Sequence, residues 1–428
     1  MQSDAPLDAA TIKWLKENAI PLASLEAGHG FQDLEMLDEV IDNGVRVVGL
    51  GEATHGTREV FQFKHRMLEY LVVKKGFTVF VIEAGYDVCT GINDYVLYGQ
   101  GTAAWALAGQ GFWTWDTEEV LAMIEWIRQY NVTKPQGRKV KFYGSDIQSI
   151  VNATKIVRDY VNNVAPEAAH LVESAIGPLS TIKTEPASDE VEARAAHKAK
   201  VIDNLYTLIG FISHHRMRFT RMTSPEEYEF ALQHARVCLQ YCVMLGRPRI
   251  GLDAFAERDL SMAENIEYII NVLEPGAKAV VWAHNGHVTR SYGTEGSTTM
   301  GQQLHNIFGQ AYYNIAFLFN QGGFQSRDML EPNYSLTGFR LPPAREGTVE
   351  WVFAQVGLDN YMVNLRQNKL DAVERWMDQE RPMRQIGANF AVNWAPEKYE
   401  TTKPINRFDA VVYMEKTSRA RPNPTGWR

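Results

Sequence analysis

No stretch of this 428-residue chain approaches the roughly 18 consecutive apolar residues of a membrane-spanning helix, so a membrane span is not expected. The first residues lack the basic-then-apolar pattern of a secretion signal. Cysteine is scarce. Cys89, Cys238 and Cys242 cannot all pair with one another, and the last two lie one helical turn apart in an apolar stretch, which reads as small core residues. A reducing, cytoplasmic setting is therefore expected. Positive charge is not in excess either: a formal net charge of −8 gives no basic footprint for nucleic acid, and the cluster Arg216 to Arg221 reads as a solvated helix face. Repeats and low-complexity tracts are missing. So are the G-x-S-x-G elbow, the H-E-x-x-H zinc helix and the phosphate-binding P-loop. Ser145 in Gly144-Ser145-Asp146 lacks the second glycine, and no cysteine stands at a strand end beside a histidine. These gaps favour activated water over a protein nucleophile.

What is present is ordinary globular composition, 45% hydrophobic and 22% charged, in a chain long enough for one large or two ordinary domains. The first third alternates strand and helix signals. Val45 to Leu50 reads as a strand, Arg58 to Lys75 as an amphipathic helix stopped by Gly76, and Phe77 to Ile82 as a second strand. Thr117 to Tyr130 reads as a helix and Lys139 to Tyr143 as a third strand. This is the grammar of a mostly parallel central sheet flanked by helices, an α/β fold. Strand signals vanish from about Ile150 to Val272, where residues 150–273 read as a helical insertion or cap within a single catalytic domain spanning 1–428. They resume with Ala277 to Ala283, Tyr313 to Phe319 and Phe408 to Tyr413. Between Gln321 and Arg407 the pattern is mixed and gives no strand order.

Four of the strands end in polar chemistry: Glu52 with His55, Glu83, Asp146, and His284 with His287. One such residue is usually a turn or cap. Several at the carboxyl edge of a parallel sheet mark the crevice where ligands bind. The runs Gly51-Glu52-Ala53-Thr54-His55-Gly56 and Trp282-Ala283-His284-Asn285-Gly286-His287 are read as two walls of one active site. A histidine oriented by Glu52 or Glu83 suits His55 to take a proton from water, while His284 and His287 could polarise a carbonyl or stabilise an oxyanion. The same three His and two Glu could also hold Zn²⁺ or another divalent ion, although no zinc spacing rule is met.

These motifs resemble the erythromycin esterase family (also described as succinoglycan-biosynthesis-like proteins). The resemblance rests on Gly51 to Glu59, Phe77 to Gly85, Gly111-Phe112-Trp113-Thr114-Trp115 running into Thr117 to Val120, and Phe142 to Asp146. Arg258-Asp259 with Met262 and Asn265, and Trp282 to His287, complete it, over about residues 45 to 320. It implies hydrolysis of a carboxylic ester, with macrolide lactone opening as the named activity. It also implies His55 as the water-activating base, Glu52 and Glu83 assisting, His284 and His287 in the same cleft, and no cofactor. Lys64 and Arg58 on the first helix, Trp113 and Trp115 as an aromatic wall, and Asp146 are the candidate substrate contacts. The first motif departs from the Gly-Glu-Gly-Ala-His-Phe form of macrolide-inactivating members, which leaves the substrate open. Two other classes remain: a divalent-metal hydrolase using the same cluster, and a non-catalytic ligand-binding protein.

Overall fold

The computed structural model describes residues 5–181, 191–245, 252–291, 298–367, 369–393, 399–404 and 406–423. Among them are twelve strands: β1 (Ile20–Pro21), β2 (Val47–Leu50), β3 (Val79–Gly85), β4 (Lys141–Asp146), β5 (Ala279–Trp282), β6 (Tyr312–Asp328), β7 (Leu336–Leu341), β8 (Asn360–Asn364), β9 (Arg381–Arg384), β10 (Asn389–Phe390), β11 (Tyr399–Thr402) and β12 (Ala410–Thr417). The main sheet has the order β1-β8-β12-β6-β2-β5-β3-β4, with β7 and β10 also on β6, while β9 and β11 form a separate ribbon. The pairs β12–β6, β6–β2 and β2–β5 are parallel; β8 runs antiparallel to β12, and β7 antiparallel to β6. The architecture is thus α/β with a mostly parallel central sheet. The continuous apolar runs of β2 and β5 follow from it, because every residue of both strands is buried.

The chain divides into two compact units. The first comprises residues 1–81, 92–141 and 278–428; the second comprises residues 82–91 and 142–277. In the first unit, the helix Arg58–Lys75 has the expected bounds, and Gly76 closes it with φ of +72°, a left-handed position that glycine takes without steric cost. The helix Glu118–Val132 begins one residue late because the Thr117 side chain caps it, accepting from Val120 N–H. The second unit holds the ends of β3 and β4 and the helices Val151–Val164, Ala169–Ile176, Val191–His214, Arg216–Met222, Pro225–Met244 and Leu252–Tyr268. No helix among the described residues is long and apolar enough to cross a membrane.

Candidate active site

β2 and β5 lie side by side in parallel register, Leu50 opposite Trp282, so the segments that follow them leave the sheet at the same edge. Gly51 has to be glycine here: a Cβ would stand 2.1 Å from the Asn285 side-chain oxygen and 3.0 Å from the Ile315 carbonyl. Asn285 N–H then donates to the Glu52 carbonyl at 2.8 Å, locking the two turns together. The rings of His55 and His284 consequently come to 5.2 Å.

Glu52 is the hub. Its carboxylate has no exposed surface, and burying an ionised group is tolerable only when opposite charge and donors surround it. Three groups do so. Lys64 Nζ donates to Oε2 at 2.7 Å, the Trp282 indole N–H donates to the same oxygen at 2.9 Å, and His55 Nδ1 lies 2.6 Å from Oε1. A carboxylate only accepts, so Nδ1 carries a proton, and in the neutral form of the ring Nε2 is the lone pair. His55 keeps a small exposed surface, 8% of the residue, while its Nδ1 is engaged by Glu52. Of the two carboxylates that could orient this ring, Glu52 does so. The rings of Trp115 and His55 pack in a T-shaped arrangement with centres 5.1 Å apart. Trp115, expected as part of a substrate wall, is itself buried between His55 and the rings of Phe61 and Trp282, so it shapes the site by packing.

His284 is held by backbone. Gly286 N–H donates to Nδ1 at 3.1 Å, and Nε2 lies 3.2 Å from the Ala53 carbonyl. With Nδ1 accepting from Gly286, Nε2–H is the donor and is directed to Ala53 rather than to a substrate carbonyl. His287 sits on the short turn Asn285–Val288, its ring 6.4 Å from that of His284. Lys64, expected as a substrate contact, is completely buried beneath Glu52, its ammonium 4.5 Å from the Trp282 ring centre. An ammonium with no accessible surface cannot meet a substrate, and its position is that of a counter-ion. Arg58 is partly exposed and lies 3.6 Å from Glu119. Trp113 is half-buried.

In the second unit Glu83 and Asp146 converge on one guanidinium. Arg258 makes a bidentate pair with Asp146 (Nε to Oδ1 2.9 Å, Nη2 to Oδ2 2.7 Å), and Nη2 also donates to Glu83 at 2.8 Å. Burial disfavours the Arg258 charge, but the fields of Asp146 and Glu83 outweigh it and hold its pKa above the usual arginine range. Asp146, expected as a substrate contact, is fully buried and committed to Arg258 and to the Ile147 N–H. Arg258 is the residue that sequence reasoning passed over. It stood in a quoted motif, but nothing in its local sequence signals partners 112 and 175 positions away.

Nucleophilic alternatives fare poorly. The buried Ser145 hydroxyl donates to the Ile82 carbonyl at 3.3 Å. Burial raises the Cys89 and Cys238 thiols far above their usual range and Cys242 to about 11, which suppresses the thiolate. Among the described residues no three His, Cys, Asp or Glu side chains are grouped as a metal ion would require.

Three further segments brace the His55 loop without any motif of their own. Ile386 N–H donates to the Ala53 carbonyl at 2.8 Å, and Ala420 and Gln325 N–H groups both donate to the Gly56 carbonyl at 2.9 Å. Gly56 is packed so closely that a Cβ would lie 2.0 Å from the Gln325 carbonyl oxygen. Because β6 backbone cannot give way, Gly56→Ala is expected to destabilise the fold by about 1–3 kcal/mol or more. Urea denaturation checks this, and wild-type stability would mean that the loop is softer than its packing indicates.

The erythromycin esterase sequence profile matches residues 72–417. Among characterised sequences, the chain is 28% identical over 291 residues to the putative hydrolase YbfO of Bacillus subtilis, covering 65% of this chain and 63% of that one. It is 24% identical over 375 residues to erythromycin esterase type II of Escherichia coli, covering 83% and 88%. Among solved structures, a Bacillus cereus protein superposes with a TM-score of 0.83 at 26% identity, covering 99% of this chain and 100% of that one. The fold is shared with a point mutant of the erythromycin esterase EreC in its open conformation (TM-score 0.69, 17% identity, 92% and 96% covered).

Proposed function

The chain belongs to the erythromycin esterase family of hydrolases, and from that premise we propose that it hydrolyses a carboxylic ester, a macrolide lactone before others, with His55 activating water. The observation that carries this reading is the polarised line from Lys64 and Trp282 through Glu52 to His55 Nδ1, which leaves Nε2 as the lone pair of the neutral ring. Nε2 takes a proton from water as the water oxygen attacks the ester carbonyl. Glu52 keeps the ring in the Nδ1–H tautomer and stabilises the imidazolium that forms. Collapse of the tetrahedral intermediate expels the alkoxide, which recovers the proton from Nε2, so that one water is consumed and an acid and an alcohol leave. No covalent enzyme intermediate and no cofactor is needed.

The bulky, apolar macrolide is favoured by the relatives' names and by the half-buried Trp113, two residues from the Trp115 ring that packs on His55. Arg58 and His287 are the remaining candidate contacts. The test is mass spectrometry of erythromycin and larger-ring macrolides after incubation with purified protein, with and without EDTA. A gain of one water that survives EDTA is expected. A gain abolished by EDTA would make the same histidines and glutamates ligands of a divalent ion. No gain on any macrolide would remove that substrate and send the search to simpler esters. Tight binding without turnover of any ester would make the protein a ligand carrier.

A further inference from the structure

The segment Ser418–Asn423 follows β12 and carries no recognisable motif, yet its hydrogen bonds go almost entirely to two places. One is Gly56 to Glu59, immediately after His55; the other is Asp116 to Glu119, immediately after Trp115. At the first, Arg58 N–H donates to the Ser418 carbonyl at 3.0 Å and Ala420 N–H to the Gly56 carbonyl at 2.9 Å. The Ser418 backbone N–H and hydroxyl each donate to Glu59 at 2.6 Å. At the second, Glu118 N–H donates to the Arg421 carbonyl at 2.7 Å, and Arg421 N–H to Glu119 at 3.1 Å. Asn423 clasps Asp116 twice, through its own N–H to the carbonyl at 2.9 Å and through its side-chain amide to Oδ1 at 2.8 Å. The same amide lies 3.3 Å from the Ala104 carbonyl. The segment forms isolated antiparallel bridges with Thr57 and with Thr117, the N-cap positions of the helices Arg58–Lys75 and Glu118–Val132.

We propose that Ser418–Asn423 is a positioning strap that sets the separation of His55 from Trp115, with Asn423 and Glu59 as its two anchors. It rests on the hydrolase reading of the same site. Main-chain bonds fix the helix starts relative to each other, and the buried Ala420 and Asn423 prevent the strap from sliding. Neither anchor touches the reacting atoms. Each acts through its neighbours in sequence: Asn423 through Asp116 on Trp115, and Glu59 through the Gly56–Arg58 turn on His55.

The experiment compares wild type, Asn423→Ala, Glu59→Ala and the double variant in the full chain. Two readouts are taken: kcat and KM on the best ester, and the rate at which diethylpyrocarbonate modifies His55, followed by peptide mass spectrometry. Either single change is expected to lower kcat about ten- to a hundred-fold, the range that a displacement near 1 Å produces. The thermal midpoint should fall by only a few degrees, roughly what losing one or two hydrogen bonds costs. His55 modification should become several-fold faster, and the double variant should be little worse than either single, because both release one strap. Unchanged kcat and unchanged His55 reactivity in both folded singles would overturn the proposal. So would fully multiplicative effects, which mean two independent local losses. If wild type turns over no ester, the hydrolase reading falls, while His55 reactivity still decides the strap.

Discussion

His55→Ala is expected to lower ester turnover by about 10²–10⁴-fold, the contribution of a well-placed general base, while the protein stays folded. The rate loss follows from the Nε2 lone pair that the Glu52 hydrogen bond to Nδ1 sets up. His284 directs its Nε2 to the Ala53 carbonyl, and Lys64 is sealed under Glu52. The fold survives because the truncation does not strand a charge. Glu52 keeps Lys64 and the Trp282 indole when the imidazole is gone. The ring leaves a space beside Trp115 and His284, for which a modest stability loss is expected. The check is a pair of measurements on one preparation, kcat on the best ester and the midpoint of urea unfolding. A variant that retains wild-type kcat would remove His55 as the base, and the search would move to His287. A variant that does not fold would mean that the ring is structural, and His55→Gln would then carry the test.

Much of this arrangement was legible in the sequence, and what was missed shares a physical cause. A strand such as β2, buried on both faces, shows itself as an unbroken apolar run, and the polar residues that end it are conspicuous. That is why Glu52, His55 and His284 could be assigned to one sheet edge. The helix Arg58–Lys75 was legible because its stop, Gly76, has a backbone reason to be glycine. The β6 strand runs to seventeen residues, Tyr312–Asp328, well beyond the expected Phe319. Its second half contains Gly322 at φ of +128° and Gly323, which accommodate the close approach of Thr417 and the Ser418 segment. The mixed region from Gln321 to Arg407 resisted because its order depends on distant partners. Buried Arg384, for example, donates to the Phe319 and Pro342 carbonyls, and an arginine between Met383 and Gln385 gives no hint of that. Lys64 was misplaced for the same reason. A helix lysine is solvated by default, and only the fold reveals that position 64 lies over a buried carboxylate.

Lys64→Met should therefore be one of the most damaging single changes in the chain, and it separates charge balance from catalysis. Removing one partner of a buried ion pair leaves the other uncompensated, which costs about 3–5 kcal/mol. Trp282 N–H and His55 Nδ1–H can still donate to Glu52, but neither replaces the lysine's fixed positive charge, so the buried carboxylate is left without its counter-ion. Without the Lys64 clamp the Glu52 carboxylate holds Nδ1–H less firmly, so the ring can adopt the Nε2–H tautomer, which lacks the lone pair that water needs. Replacing the orienting carboxylate of the serine-protease triad by its amide has the same consequence and costs about 10⁴-fold in rate. Lys64→Met should accordingly lose both stability and kcat, whereas the double variant Lys64→Met/Glu52→Gln, which buries no charge at all, should recover much of the stability and none of the rate. Urea unfolding and kcat on the same samples distinguish the two effects. Recovery of kcat in the double variant would show that Glu52 does not set the His55 tautomer. Wild-type stability in Lys64→Met would show that the pair is not the buried counter-ion arrangement on which the site depends.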